Sequence, residues 1–292
     1  MSESTQTSWE TPMFRHLKTS AAIALLATVA SAGAAMAKGQ SDVRSIDVDG
    51  RSVHVSCSGV QQKGKPVVLL MAGLGDGLDR MAGLQEALSS EGRVCSYDRL
   101  GAGLSDQPDG PQTMESAGAV LTKVIRNVSG GRPVVLAGHS LGGLIAARYA
   151  PDHRDKVKGV VLMDATSPTM SADLERAIPE GATGVGAELR AQTLAVFRGE
   201  NPERLVINDG PVRFAGNVPV EVVQHGQPYL AAVPEYGPAL EQAWGQGQRA
   251  WLGLSCRASL STAADSGHYI YLDQPEVAVR AVQRVVAKAS RR

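Results

Sequence analysis

The sequence predicts an α/β fold: a mostly parallel, eight-stranded sheet with helices on both faces and a small cap insertion. Three observations carry this expectation. Short apolar runs such as Pro66–Met71, Pro133–Ala137 and Val157–Met163 have the continuous hydrophobicity of strands buried on both faces. Segments with helical spacing alternate with these runs, the pattern that produces a parallel sheet covered on both sides. One stretch, 165–218, breaks the alternation with several Gly and Pro residues and short amphipathic pieces.

The elements follow in order. Val43–Val48 and Ser52–Ser56 flank Asp49-Gly50, a hairpin turn signal. Strand Pro66–Met71 is followed by helical spacing over Met81–Leu88 and a strand over Arg93–Tyr97. Met114–Val128 presents Val120, Leu121, Val124, Ile125 and Val128 as an apolar stripe. Pro133–Ala137 is a strand, Leu141–Ala150 a helix and Val157–Met163 a strand. After the insertion, Val220–Val223 resumes the sheet, with Pro219 at a strand start where proline is tolerated. Pro238–Leu252 is helical, Ala258–Ala263 is the last strand, and Pro275–Lys288 closes the chain with Ala278, Val282 and Val285 on one face. The 165–218 insertion is expected over the carboxyl ends of the strands, where open α/β sheets bind ligands.

Composition narrows the function. With 292 residues, 43% hydrophobic, the chain has ample material for a core. Its 29 basic and 29 acidic residues balance, which argues against a nucleic-acid partner. No Cys-x-x-Cys, His-Glu-x-x-His, Gly-Lys-Ser/Thr or dinucleotide fingerprint occurs, so neither a metal nor a cofactor is expected.

The first 37 residues read as an export signal. Arg15, His16 and Lys18 precede the apolar run Ala21–Ala30, and Ala35-Met36-Ala37 is an A-x-A cleavage site. The run is too short to span a bilayer comfortably. The mature chain, 38–292, is thus expected in the periplasm or secreted, without stable membrane insertion. Glu3 and Glu10 are unusual in a basic leader, and Met13 stands as an alternative start.

Gly138-His139-Ser140-Leu141-Gly142 matches G-x-S-x-G and sits between a buried strand and a helix. That context is what the motif needs. A serine on a sharp strand-to-helix turn is exposed, and the helix N-terminus aims free N–H groups at developing negative charge. Ser140 is therefore the candidate nucleophile and Leu141 N–H, one residue on, a candidate oxyanion donor.

Four segments together resemble the α/β-hydrolase fold family over nearly the whole mature chain. Met71-Ala72-Gly73-Leu74-Gly75 is similar to the oxyanion loop, and Tyr97-Asp98-Arg99-Leu100-Gly101-Ala102-Gly103-Leu104-Ser105 to the D-R-x-G-x-G-x-S loop. Gly138–Gly143 is similar to the nucleophile elbow, and Ser266-Gly267-His268 through Pro275 to the histidine loop before the last helix. The resemblance implies His268 as general base and Leu74 N–H as the second oxyanion donor. Relatives often carry His-Gly where this chain has Ala72-Gly73, so any bracing by that histidine is absent. His139 reads as support for the elbow, and Asp98 with Arg99 as a buried structural pair.

The acid is less direct. The family usually places it after the strand that follows the insertion, yet here Val220–Val223 runs into Gln224-His225-Gly226 with no carboxylate until Glu235. Asp164, closing the strand beside that of the nucleophile, is the favoured candidate, with Glu235 and Asp265 as rivals. The family's strand order also makes neighbours of the strands holding Cys57 and Cys95, which implies a disulfide and leaves Cys256 free. The implied activity is a serine hydrolase cleaving a carboxylic ester or related acyl bond of a small molecule through an acyl-enzyme. Carbon–carbon or amide hydrolysis with the same triad, and a non-catalytic binding protein of the same fold, are the alternatives.

Overall fold

The computed structural model describes residues 41–290. The expected export signal lies outside the described residues. Eight strands form one sheet: β1 (Asp42–Val48), β2 (Arg51–Ser58), β3 (Val67–Met71), β4 (Val94–Tyr97), β5 (Val134–His139), β6 (Val157–Met163), β7 (Val220–His225) and β8 (Ala258–Ala263). Their order is β1-β2-β4-β3-β5-β6-β7-β8. Only the β1–β2 and β2–β4 pairs are antiparallel. Asp49 and Gly50 both take positive φ at the β1–β2 turn, as a tight two-residue hairpin requires.

Alternation along β3 shows how the layers are built. Val67, Leu69 and Met71 face one core, where Leu121, Val124 and Ile125 of α2 (Met114–Ser129) and Leu144 and Ile145 of α3 (Leu141–Tyr149) cover the sheet. Val68 and Leu70 face the other core, against Leu84 and Leu88 of α1 (Ala82–Ser89) and Ala278, Val282 and Val285 of the closing helix Pro275–Ser290. Each such fully buried aliphatic side chain contributes about 1.5–3 kcal/mol. Thr113 caps α2, its hydroxyl accepting from the Ser116 N–H while Ser116 Oγ accepts from the Thr113 N–H. Gly130 ends that helix in the left-handed conformation.

The insertion has two parts. Its first half forms α4 (Met170–Ala177) and α5 (Gly184–Phe197). Leu174 and Ile178 pack with Leu240 of α6 (Gly237–Ala250) in a small third cluster bordered by Leu189, Leu194 and Leu230. The second half is irregular and does not simply cap the strand ends, because Leu205, Ile207 and Ala215 bury themselves in the α2/α3 core. A four-residue helical turn α7 (Ile270–Asp273) lies just before the closing helix, α8. Cys57 and Cys95, directly opposed in the β2–β4 register, are joined by a disulfide, and Cys256 is an exposed free thiol. Among the described residues, no helix is long and apolar enough to cross a membrane.

Candidate active site

Ser140 occupies a strained turn. Between β5 and α3 its backbone takes φ 50° and ψ −118°, a conformation that L-residues rarely adopt. Glycines allow the turn to close: a Cβ on Gly138 would lie 2.4 Å from the Gly142 carbonyl, and one on Gly142 would lie 2.4 Å from Met71 O. The second approach presses the first turn of α3, which carries Leu141, against the loop that carries Leu74. Leu141 is the first residue of α3, so its N–H has no intrahelical acceptor. The elbow is also tied to the end of β6. Ser140 N–H donates to Met163 O (3.2 Å), and Ser140 O accepts from Thr166 N–H (3.1 Å).

Asp164 follows β6 directly, with φ 44° and no solvent exposure. His139 and Met163 are paired in register across β5 and β6, so Ser140 and Asp164 leave neighbouring strands at the same level. His268, in the loop after β8, donates from Nδ1 to Asp164 Oδ2 at 2.7 Å. The other carboxylate oxygen accepts from Trp244 Nε1 (2.9 Å), His225 Nδ1 (2.9 Å) and the His225 N–H (3.2 Å). Burial alone would raise the Asp164 pKa. The hydrogen bonds from His225 and His268 outweigh burial, and the net displacement is downward. Among the described residues, no hydrogen bond joins Ser140 Oγ to His268; in unliganded sites such bonds are commonly long and tighten on binding.

The rival carboxylates lie elsewhere. Glu235 is exposed, and Asp265 is exposed and engaged with Gln274. Neither bonds to His268 among the described residues.

His139 supports the elbow from below. It is buried, its Nε2–H donates to His268 O (3.0 Å), and its ring centroid lies 4.5 Å from that of His268. Burial, followed by repulsion from His268, pulls its pKa down to about 3, so it stays neutral beside the histidine that would collect a proton.

The expected Asp98–Arg99 pair does not form. Asp98 instead accepts from the Leu78 and Leu104 N–H groups, holding its own loop. Arg99 forks onto Glu203 of the insertion (2.6 and 2.7 Å) and donates to Ala72 O and Gly73 O (both 2.7 Å). A guanidinium has five donors and a planar fork, whereas adjacent side chains on a loop point apart; the fork reaches a distant carboxylate and two carbonyls at once. Arg99 thus braces the loop before Leu74, the service that a histidine at position 72 does not provide here.

Sequence reasoning missed Arg99's reach, Glu203, Trp244, Glu241 and the role of His225. Arg99 lies in a recognised loop but its partner does not, and Glu203, Trp244, Glu241 and His225 belong to no local motif; the insertion, α6 and β7 bring them to the site only in the folded chain. Among the described residues, no group of three His, Cys, Asp or Glu side chains is arranged to hold a metal ion.

Residues 66–198 match the family model of the alpha/beta hydrolase fold. The (lyso)-N-acylphosphatidylethanolamine lipase of Mus musculus is 30% identical over 150 residues, which are 49% of this chain and 44% of the lipase. The chain thus spans less than half the length of that curated relative. Among solved structures, an enol-lactonase from Burkholderia xenovorans matches with TM-score 0.58 at 22% identity, covering 84% of this chain and all of the lactonase. A carboxylesterase from Bacillus subtilis matches with TM-score 0.59 at 18% identity, covering 85% of this chain and 92% of the esterase. At such identities the structural likeness concerns the fold. Sheet order, elbow and family model agree, and the fold is the α/β-hydrolase fold.

Proposed function

We propose that this protein is an exported serine hydrolase that cleaves a carboxylic ester or related acyl bond. The observation that carries this reading is the 2.7 Å hydrogen bond from His268 to Asp164 beside a serine held at positive φ on the elbow. Asp164 keeps His268 in the tautomer whose Nε2 lone pair is free to accept the Ser140 proton. Ser140 Oγ then attacks the carbonyl carbon. The oxyanion is received by the Leu74 and Leu141 N–H groups, which cost nothing to reorganise because Arg99 and the α3 N-terminus hold them in place. Protonated His268 returns its proton to the leaving alcohol, and water hydrolyses the acyl-enzyme by the same route.

A pocket of about 120 Å³ is lined by Leu174 of α4, Leu189 of α5, Leu230, and Leu240 and Trp244 of α6. Its size supports a small or medium apolar acyl group. Export is supported by the leader pattern, and the Cys57–Cys95 disulfide suits an oxidising compartment. The deciding experiment is labelling with a fluorophosphonate probe. The native protein should label at Ser140, Ser140→Ala should not, and p-nitrophenyl esters should be turned over with preference for short chains. An unlabelled native protein would leave a binding protein of the same fold as the better reading. Intact mass of the natural product should lack residues 1–37.

A further inference from the structure

The end of β7 carries His225, which bonds to carboxylates on both sides. Its Nδ1 lies 2.9 Å from Asp164 Oδ1 and its Nε2 lies 2.9 Å from Glu241 Oε2. A neutral imidazole has one N–H and one lone pair, so one nitrogen would turn its lone pair toward a carboxylate oxygen at hydrogen-bond distance. Only the imidazolium donates from both.

Both carboxylates are held by N–H donors that favour their ionised form. Glu241 Oε1 accepts from the Leu230 N–H (2.6 Å) and the Ala231 N–H (3.2 Å). Asp164 is surrounded by donors on both oxygens: His225 and Trp244 on one, His268 on the other. The charge therefore sits on the ring between them. The His225 side chain is 7% exposed and Glu241 is 17% exposed, so water competes little for either.

We propose that His225 is a positioning residue that is cationic at neutral pH: clamped between Asp164 and Glu241, it fixes the rotamer of the triad acid, and loss of its proton sets an alkaline limit on turnover. This rests on the reading of Ser140, His268 and Asp164 as a triad. With His225 charged, Oδ1 of Asp164 is held by the ring and the Trp244 indole, and Oδ2 is left for His268. When the ring loses a proton, a lone pair faces Glu241 or Asp164. Glu241 is anchored on α6, which also carries Trp244, so repulsion there disturbs two of the donors that orient Asp164.

The groups around the ring agree with a cation. Asp164 directly follows β6, and Glu241 comes from α6. Tyr229, on the turn between β7 and α6, packs its ring edge-on at 4.9 Å. His268 lies across Asp164. Arg249 shares with His225 and Glu241 a small open cavity of about 180 Å³, where Gln224 and Gln248 are the other polar side chains. Burial alone would lower the His225 pKa, but the hydrogen bonds and charges of Asp164 and Glu241 carry it above its ordinary value.

The first test reads the proton directly. Two-bond 1H–15N spectra of the histidine-labelled native protein, assigned with His225→Gln, should show both ring nitrogens at imidazolium shifts at pH 8. A neutral ring at pH 7 overturns the proposal.

The second test reads kcat and KM against pH for a short p-nitrophenyl ester in the native protein and in Glu241→Gln. An amide can donate to a neutral imidazole, so it no longer demands the cation. Loss of the ring proton then turns no lone pair on a carboxylate, so the alkaline limb of kcat should move at least about one pH unit away from neutrality or vanish, with KM unchanged. An unmoved limb in a variant with native circular dichroism overturns the proposal. Failure of the underlying triad looks different. In that case fluorophosphonate does not label Ser140 in the native protein, and the ring spectra still decide the charge on His225.

Discussion

Neutral His139 makes stability depend on pH in a defined window. Its ring is buried under the elbow with a pKa of about 3, against 6.5 in an ordinary environment. Between these values the unfolded chain binds a proton that the folded chain refuses. Stability therefore rises with pH through this window and is complete above it. pH 5 lies about 1.5 units below the pKa of the unfolded imidazole, which favours the unfolded state by about 2 kcal/mol relative to pH 8. The neighbouring groups act in other windows. Asp164 is displaced downward from 3.8 and loses its contribution at more acid pH, while His225 is displaced upward and contributes below its folded pKa, at the alkaline end.

The comparison that isolates the effect is a double difference. Urea unfolding of the native protein and of His139→Gln, each at pH 8 and pH 5, gives four free energies. The amide can keep the donation to His268 O but cannot titrate. Whatever Gln costs at pH 8 cancels, and the native protein should lose about 2 kcal/mol more than the variant on going to pH 5, or about 4–8 °C in Tm. Equal losses in both proteins would mean that His139 either protonates in place or remains unprotonated in the unfolded chain, and the burial argument would fail.

Three further outcomes follow from the geometry. Glu203→Ala should cost about 3–5 kcal/mol in chemical unfolding, because it leaves the Arg99 guanidinium buried without its counter-ion; a loss under 1 kcal/mol would refute the brace. Asp164→Asn should remain folded by circular dichroism and lose up to about 10⁴-fold in kcat, with Glu235→Gln and Asp265→Asn near native; collapse in either of the latter instead would move the acid. The disulfide closes a loop with a separation of 38 residues, so a Cys57→Ser/Cys95→Ser variant should lose ~4 kcal/mol, and thiol titration of the denatured, unreduced protein should find one free thiol.

The central strands and the elbow were legible because their signals are local. A run such as Val134-Val135-Leu136-Ala137 must be buried on both faces, and the glycines after it have few other uses than a close approach. Leu141 and Ser140 follow from that turn alone. Strand ends were less legible: β5 continues through Gly138 and His139, two residues that composition assigns to a turn, because both pair with β6. The insertion was least legible. Leu205 and Ile207 return to the core from irregular backbone, without the periodicity that marks a helix or strand. The Arg99–Glu203 fork spans 104 positions of sequence, and no spacing rule connects them.

The position of the acid unites these observations. At the end of β7, where the family resemblance implies the acid, this chain has a histidine; Asp164, the acid of the proposed triad, stands one strand nearer Ser140, after β6. A carboxylate at Asp164 is fully buried and must be compensated by donors, and one His268 cannot supply enough. The histidine on β7 does so, with Trp244 from α6 as the second donor on the same oxygen. A second carboxylate, Glu241, keeps that histidine charged. The proposed acid and the β7 histidine are thus one arrangement: Glu241 on α6, His225 on β7, Asp164 after β6 and His268 after β8 form a single hydrogen-bonded line. Its two carboxylates are bridged by the His225 ring, and its other end is His268, the base of the proposed triad. Removing the ring would leave the buried Asp164 carboxylate facing the part-buried Glu241 carboxylate with no cation between them.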